Sequence, residues 1–138
     1  MMHARVDVQT PFHIDMDWWT ARGRSLRRFL VEILDEADLD LTAEAPMDYI
    51  DLQTAEVYQL DPLWVKVLDT RARRPDYITE ATPLTNAMLR AFIENLNRPM
   101  SAVDLQRRLS RSSPQTLLKV LRAARGEYGI VPVADGTQ

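Results

Sequence analysis

The 138-residue sequence predicts an α+β fold that is mainly helical. Apolar residues recur at helical spacing in several stretches, and one alternating stretch around a polar turn predicts a small β-hairpin. Hydrophobic residues make up 46% and charged residues 27%, which is typical of a globular protein. We expect a C-terminal three-helix unit packed on an N-terminal helix with a small hairpin.

The first apolar stripe predicts one long helix, entered after an extended segment at 6–16. Asp17 is placed to cap this helix, which would run to about Ala37. At 100° per residue the buried face contains Trp19, Gly23, Leu26, Leu30, Ile33, Leu34 and Ala37. A glycine on a buried helical face predicts that a neighbouring element packs close against it.

The stretch YIDLQTAEVYQL predicts the hairpin. Tyr49 and Ile50 lie in one predicted strand and Val57 and Tyr58 in the other, with 51–56 closing the turn.

Two cap-proline pairs predict further helix starts. Asp61 before Pro62 opens a short helix, and Thr82 before Pro83 opens a longer one that would end near Asn97. Apolar residues cover most of the circumference of the second helix, so we expect it to be buried on two sides.

The segment SAVDLQRRLSRSSPQTLLKVLRA predicts two short helices joined by a polar turn. Ser101 and Asp104 have the spacing of a capping box, and Ser113 before Pro114 repeats the cap-proline signature. The turn falls at 110–112. On the second of these helices the leucines share one side, which leaves the polar and basic residues on the other.

The outward side chains of this segment have the chemistry of a DNA-contacting surface. Glutamine can pair with an adenine edge, lysine and arginine can donate to guanine or phosphate, and free amides at a helix start favour a phosphate oxygen. The candidate DNA-binding residues are Arg107, Arg111, Gln115, Thr116, Lys119, Arg122 and Arg125.

The charge distribution supports the same surface. Residues 1–83 hold 9 Lys/Arg and 16 Asp/Glu, net −7, whereas residues 84–138 hold 8 and 4, net +4. Within 101–126, six basic residues face a single acidic one, net +5. A polyanion is therefore expected to meet the C-terminal half of the chain.

The three helices and the following GEYGIVPV, a candidate strand, resemble the winged helix-turn-helix class over residues 82–133, nearly 40% of the chain. At the turn, where a tight helix-turn-helix usually has glycine, this chain has Ser110. The resemblance implies that the helix starting at Ser113 enters the major groove of double-stranded DNA and that the strand after it builds a wing. It also implies a DNA-binding transcriptional regulator.

RARRPDYITEA is the most linker-like segment of the sequence, and a boundary between two regions is expected there. Residues 1–74 would serve dimerisation or regulation, and 82–138 would form the winged helix-turn-helix-like region, the two folding as one cooperative unit. A homodimer is expected because regulators of this class often bind two half-sites symmetrically.

A second hypothesis is a protein-interaction adaptor that uses the same fold without contacting DNA. Trp18 and Trp19 are adjacent, so both cannot face the interior of one helix. One of them would then be exposed and could meet a protein partner.

Other functional classes find little support. Cysteine is absent, and there is no phosphate-binding glycine loop or nucleophile elbow, so we expect neither an enzyme nor a cofactor. The segment HIDMD could orient His13, Asp15 and Asp17 alike, but capping explains Asp17 better and no metal is expected. No signal peptide or span of about 20 apolar residues is evident, so we expect a cytoplasmic protein without membrane contact.

Overall fold

A computed structural model of the protein describes residues 5–133, and the outer ends of the two predicted regions, 1–4 and 134–138, lie outside the described residues. In chain order the elements are β1 (Phe12–Ile14), α1 (Met16–Ala21), α2 (Leu26–Leu34), β2 (Met47–Ile50), β3 (Val57–Leu60), α3 (Pro62–Thr70), α4 (Leu84–Glu94), α5 (Ala102–Leu109), α6 (Pro114–Tyr128) and β4 (Ile130–Pro132). The strands form two antiparallel pairs, β1 with β4 and β2 with β3. The predicted α+β, mainly helical class is confirmed.

The chain divides into two compact units. Among the described residues, the terminal unit contains 5–23 and 78–133, and the central unit contains Arg24–Tyr77. The described N-terminal segment therefore belongs with the C-terminal helices. The second change of unit falls inside RARRPDYITEA. The roles assigned to regions 1–74 and 82–138, and cooperative folding of the whole chain, stay predictions.

In the terminal unit, strand β1 is paired along both edges. One edge pairs with Ile130–Pro132 of β4. On the other edge, the N–H of Phe12 donates to Met100 O at 2.8 Å, and the N–H of Met100 donates to Phe12 O at 2.9 Å. The side chain of Asn97 accepts from the N–H of Ile14 and donates to its carbonyl, both at 2.9 Å. Because buried backbone groups need partners, these bonds let β1 lie in the core.

Helix α4 lies at the centre of the terminal unit and contacts β1, α5 and α6. Its buried residues are Ala87, Met88, Leu89, Ala91, Phe92 and Ile93. These residues cover well over one face of the helix, so the predicted burial on two sides is confirmed.

The predicted ends of α4 are wrong. The N-cap is Pro83 and makes no side-chain cap bond, whereas the hydroxyl of Thr82 accepts the N–H of Thr79 at 3.0 Å. The helix ends at Glu94, because the chain then adopts positive φ values that include +57° at Asn97. Asparagine tolerates this conformation well. Its side chain bonds the backbone of Ile14 in β1.

The single long N-terminal helix is also wrong, since the stretch forms two helices. The cap of α1 is Asp15, which accepts the N–H of Asp17 at 3.0 Å. Gly23 adopts φ +62°, and Ser25 then starts α2 by accepting the N–H of Arg27. A left-handed glycine followed by a capping serine outweighs the continuous apolar period. The expected close packing at Gly23 is absent, because a Cβ there would meet none of the described atoms within 4 Å.

In the central unit, α2 packs against α3, and β2 and β3 form the predicted hairpin. Its register opposes Tyr49 to Tyr58 and Ile50 to Val57. Asp61 caps α3 by accepting the N–H two residues further on, at 2.8 Å. The hairpin and the cap-proline start of α3 are confirmed.

Candidate nucleic-acid interface

Helices α5 and α6 and the turn between them carry the candidate interface. The N–H of Asp104 donates to the Ser101 hydroxyl at 3.1 Å, and the N–H of Ser101 donates to the Asp104 carboxylate at 2.9 Å. The predicted capping box is therefore confirmed. Helix α5 ends at Leu109. Ser110 then takes the left-handed conformation, φ +54°, at the position where a tight helix-turn-helix usually has glycine. Ser112 is left-handed as well, with φ +65°.

Helix α6 begins as predicted. The hydroxyl of Ser113 accepts the N–H of Thr116 at 3.1 Å, and Pro114 occupies the first turn. The helix has 15 residues, so at 1.5 Å per residue it is about 22 Å long. Gly129 closes it with φ +63° and leads directly into β4.

The inward face of α6 is apolar. Leu117, Leu121 and Ala124 are buried, and α6 contacts α5, α4 and β4. The orientation predicted for the leucines is confirmed. The opposite face of the helix is left to solvent.

Six of the seven candidate residues are exposed. They are Arg107 on α5 and Gln115, Thr116, Lys119, Arg122 and Arg125 on α6. Gln115 and Thr116 lie in the first turn of α6, the end of a helix that most readily meets a base edge in a major groove.

The three cationic residues of α6 follow one another at intervals of three. Lys119, Arg122 and Arg125 span about 9 Å of the helix axis, within the roughly 12 Å width of a B-DNA major groove. Arg122 also donates to Val6 O at 2.9 Å, which steadies its guanidinium at the surface. The same helix also carries one carboxylate, that of Glu127, which lies more than one turn after Lys119 and Arg122.

Arg111, the seventh candidate, has a different environment. Its guanidinium donates to the carbonyls of Thr79 and Glu80, both at 3.0 Å, and to that of Thr82 at 2.6 Å. These bonds tie the turn after α5 to the segment before α4. A phosphate would have to compete with three carbonyl acceptors for this side chain, so we assign Arg111 a structural role.

Arg108 is also engaged within the protein. It forms a bidentate ion pair with Glu94, which joins α5 to α4. Of the six basic residues counted between 101 and 126, four therefore remain as outward cations among the described residues: Arg107, Lys119, Arg122 and Arg125.

The strand after α6 has a partner that the sequence did not indicate. Strand β4 forms within GEYGIVPV as expected, but it pairs with β1, near the N-terminus. Strand β1 has three residues, too few for alternation to distinguish it from loop. The role of Asn97 was missed for a similar reason, since its partner Ile14 lies 83 positions away.

The tryptophan pair packs against the end of α6. The indole N–H of Trp19 donates to Tyr128 O at 2.9 Å, and Trp19 is buried. The Trp18 ring lies against Gly129, and the guanidinium of Arg22 is 4.2 Å from its centroid. The exposed large apolar side chains of residues 5–133 lie elsewhere, in the central unit.

Within residues 5–133 no group of three His, Asp or Glu side chains is arranged to hold a metal ion. His13 lies in β1 opposite Val131, and Asp15 caps α1. No helix in the described part combines the length and apolar character that crossing a bilayer requires.

Comparison of the chain with protein-family models, with curated proteins and with solved structures found no match. The geometry of α4–α6 and the strands beside them is therefore the basis for a functional assignment.

Proposed function

We propose that the protein binds double-stranded DNA as a transcriptional regulator, with α6 as the recognition helix of a winged-helix-type unit. The observation that carries this proposal is the division of α6 into a buried leucine face and an exposed face with glutamine and three cations.

The exposed face supplies both kinds of contact that DNA recognition uses. Gln115 in the first turn can donate to and accept from an adenine edge. Lys119, Arg122 and Arg125 can donate to phosphates or guanine, and Arg107 adds a cation from α5. The exposed face of α6 thus carries both a side chain that can read a base and side chains that can contact phosphates.

The elements around α6 support the winged-helix type. Helices α4, α5 and α6 follow one another with short connections, and β4 leaves α6 directly. In this protein the strand that accompanies β4 is β1. The N-terminal segment would then contribute to the wing side of the unit.

The charge count sets the expected strength of the interaction. Four outward cations predict a slope of about −3.6 for log Kobs against log salt concentration, if each neutralises one phosphate. Non-specific binding would then be measurable at low salt and weak near physiological salt.

A homodimer that binds two half-sites remains part of the proposal. Half-sites in such complexes lie about 34 Å apart or a multiple of that distance. The alternative adaptor function through Trp18 and Trp19 is less favoured, because Trp19 is buried and the Trp18 ring is covered by Gly129 and Arg22.

The test is fluorescence anisotropy with a labelled random-sequence duplex at about 50 mM salt. We expect binding in the micromolar range, and Lys119→Glu should weaken it at unchanged melting temperature. Arg73→Glu is the matched control, since it changes the charge equally on an exposed residue of the central unit. The proposal fails if the wild-type protein does not bind at tens of micromolar, or if both variants weaken binding equally.

A further inference from the structure

The exposed large apolar side chains of residues 5–133 are concentrated in one part of the central unit. They are Leu52 at 88% exposure, Val57 at 60%, Ile50 at 54%, Leu41 at 53% and Met47 at 44%. Single exposed leucines are ordinary on a protein surface, whereas five within 17 consecutive positions are not.

Three of these side chains share one side or the tip of the hairpin. Ile50 and Val57 are directly opposed across β2 and β3, so they point to the same face. Tyr49 and Tyr58 point to the other face and are half-buried. Leu52 lies in the turn that joins the strands. Ile50, Val57 and, at the tip, Leu52 therefore form an apolar ridge at the turn end of the hairpin, and the opposed pair Asp48 and Gln59 continues the same face beyond it.

Local hydrogen bonds hold this ridge in shape. The N–H of Asp51 donates to Glu56 O at 2.9 Å, and the N–H of Ala55 donates to Asp51 O at 2.7 Å. The Asp51 carboxylate also accepts the N–H of Gln53 at 2.9 Å. A turn closed in this way holds the backbone that carries Leu52, which lowers the entropic cost of ordering the turn against a partner.

The base of the ridge is fixed by Arg27. Its guanidinium pairs with Asp61 at 2.8 Å and donates to the carbonyls of Ala43 at 3.2 Å and Leu41 at 3.4 Å. The loop that carries Leu41 is thereby held beside the start of α3.

The stretch of chain that contains the ridge is acidic. Residues 35–56 contain eight Asp/Glu and no Lys/Arg. Seven of the eight are exposed, namely Asp35, Glu36, Asp38, Asp40, Glu44, Asp48 and Glu56. Hydrogen bonds from the side chain and backbone of Thr42 lower the pKa of Asp40, so this carboxylate is charged at neutral pH.

We propose that the hairpin ridge docks a basic, amphipathic segment of a different protein. Apolar side chains of that segment would cover Ile50, Leu52 and Val57, and its lysines or arginines would meet the surrounding carboxylates. Charge of this sign repels nucleic acid and anionic lipid, which leaves a polypeptide as the partner.

A second copy of the chain fits the ridge poorly. Two ridges face to face would bring two segments of net −8 together. The basic face of α6 has the right charge, but its outward residues include no large apolar side chain that could cover the ridge. A segment of another protein that has both basic residues and large apolar side chains would complement the ridge.

This inference is independent of DNA binding. The ridge belongs to the central unit and the α5–α6 surface to the terminal unit. Variants of one surface therefore report on one activity only.

The experiment titrates the full-length protein into fluorescein-labelled peptides at about 0.15 M ionic strength, where the Debye length is about 8 Å. One probe, of about 18 residues, carries leucines along one helical face and lysines on the other. A second alternates valine and lysine, for docking as a strand. Controls replace the apolar residues with serine, or the lysines with glutamate.

We expect at least one amphipathic lysine probe to bind about tenfold more tightly than both of its controls. Leu52→Ser, and separately the pair Ile50→Ser and Val57→Ser, should weaken this binding about tenfold without changing DNA affinity. Gln53→Ser is the matched control, because it introduces the same residue into the same turn and removes no apolar side chain. Leu52→Ser is not expected to disturb the fold, because Leu52 is almost fully exposed.

Three outcomes overturn the proposal. The first is that neither lysine probe binds more tightly than its serine control at protein concentrations up to about 100 µM. The second is that Leu52→Ser and Gln53→Ser bind the probe equally well. The third is self-association in sedimentation experiments that Leu52→Ser abolishes, which would mean that a second copy covers the ridge.

Discussion

Replacing Gly129 with alanine tests how the end of α6 is held. Gly129 closes the helix with φ +63°. A Cβ at this position would lie 2.8 Å from Trp18 Cε3 and 2.9 Å from Cδ2. The ring cannot move away freely, because Arg22 lies over it and the neighbouring Trp19 is bonded to Tyr128 O. Gly129→Ala therefore combines backbone strain with a steric clash.

The magnitude follows from those two terms. A left-handed conformation costs a non-glycine residue about 1–2 kcal/mol. Overpacking of a filled site adds about 1–3 kcal/mol. We expect Gly129→Ala to lower the free energy of unfolding by about 2–5 kcal/mol, a large fraction of the stability of a domain of this size.

The matched control is Gly23→Ala. Gly23 has nearly the same φ, +62°, but no described atom lies within 4 Å of its Cβ position. It should therefore show the strain alone, about 1–2 kcal/mol. Urea unfolding followed by tryptophan fluorescence and circular dichroism measures both variants.

Equal losses for the two variants would refute this account, because the contact with Trp18 would then cost nothing. A second check uses a Trp18→Leu background, in which the additional loss from Gly129→Ala should largely disappear.

Three further predictions concern the interface, the sheet and the acidic loop. Lys119→Gln should reduce the salt slope of DNA binding by about 0.9. If the affinity at 1 M salt is unchanged, binding at 50 mM salt is then about fifteenfold weaker. An unchanged slope would mean that Lys119 contacts no phosphate. Asn97→Ala should lower the free energy of unfolding in urea by about 2–4 kcal/mol, because it leaves the N–H and carbonyl of buried Ile14 without that partner. A loss below about 1 kcal/mol would mean that water or a neighbouring group replaces the amide. Thr42→Val should raise the pKa of Asp40 toward its ordinary value, because the hydroxyl bond at 2.5 Å is lost, as carboxyl NMR titration would measure; no change would assign the shift to the backbone bond instead.

The sign of the Asp40 effect also follows. A carboxyl whose pKa is lowered in the folded protein contributes stability above its unfolded pKa, and this contribution is lost as the pH falls through the folded value. Because Asp40 is fully exposed, we expect this contribution to be small and restricted to acid conditions.

The sequence predicted features that depend on neighbours in the chain. The hairpin, the caps at Ser101, Asp61 and Ser113, and the inward leucines of α6 are all present. Each of these depends on residues within a few positions, where spacing and side-chain chemistry decide the outcome. At Gly23 the same rule holds, since the glycine and the following serine end one helix and start the next although the apolar period continues.

The functional surface was predicted in part. The exposure of Lys119 and Gln115 follows from helical periodicity alone. The engagement of Arg111 does not, because its three acceptors lie 29 to 32 positions away and belong to the segment before α4. Sequence pattern shows that a side chain points outward from its own helix, but it cannot show which backbone carbonyls will stand there.

The sequence by itself determined where most helices and the hairpin form and which face of α6 is apolar, because those outcomes depend on bonds and contacts within one or two helical turns. Only the tertiary structure decided the partner of β4, the place of Asn97 beside Ile14 and the contact between Trp18 and Gly129. These pairs are separated by 80 residues or more. They form because buried backbone groups must be hydrogen-bonded and buried surfaces must fit, and neither condition leaves a periodic signal in the chain.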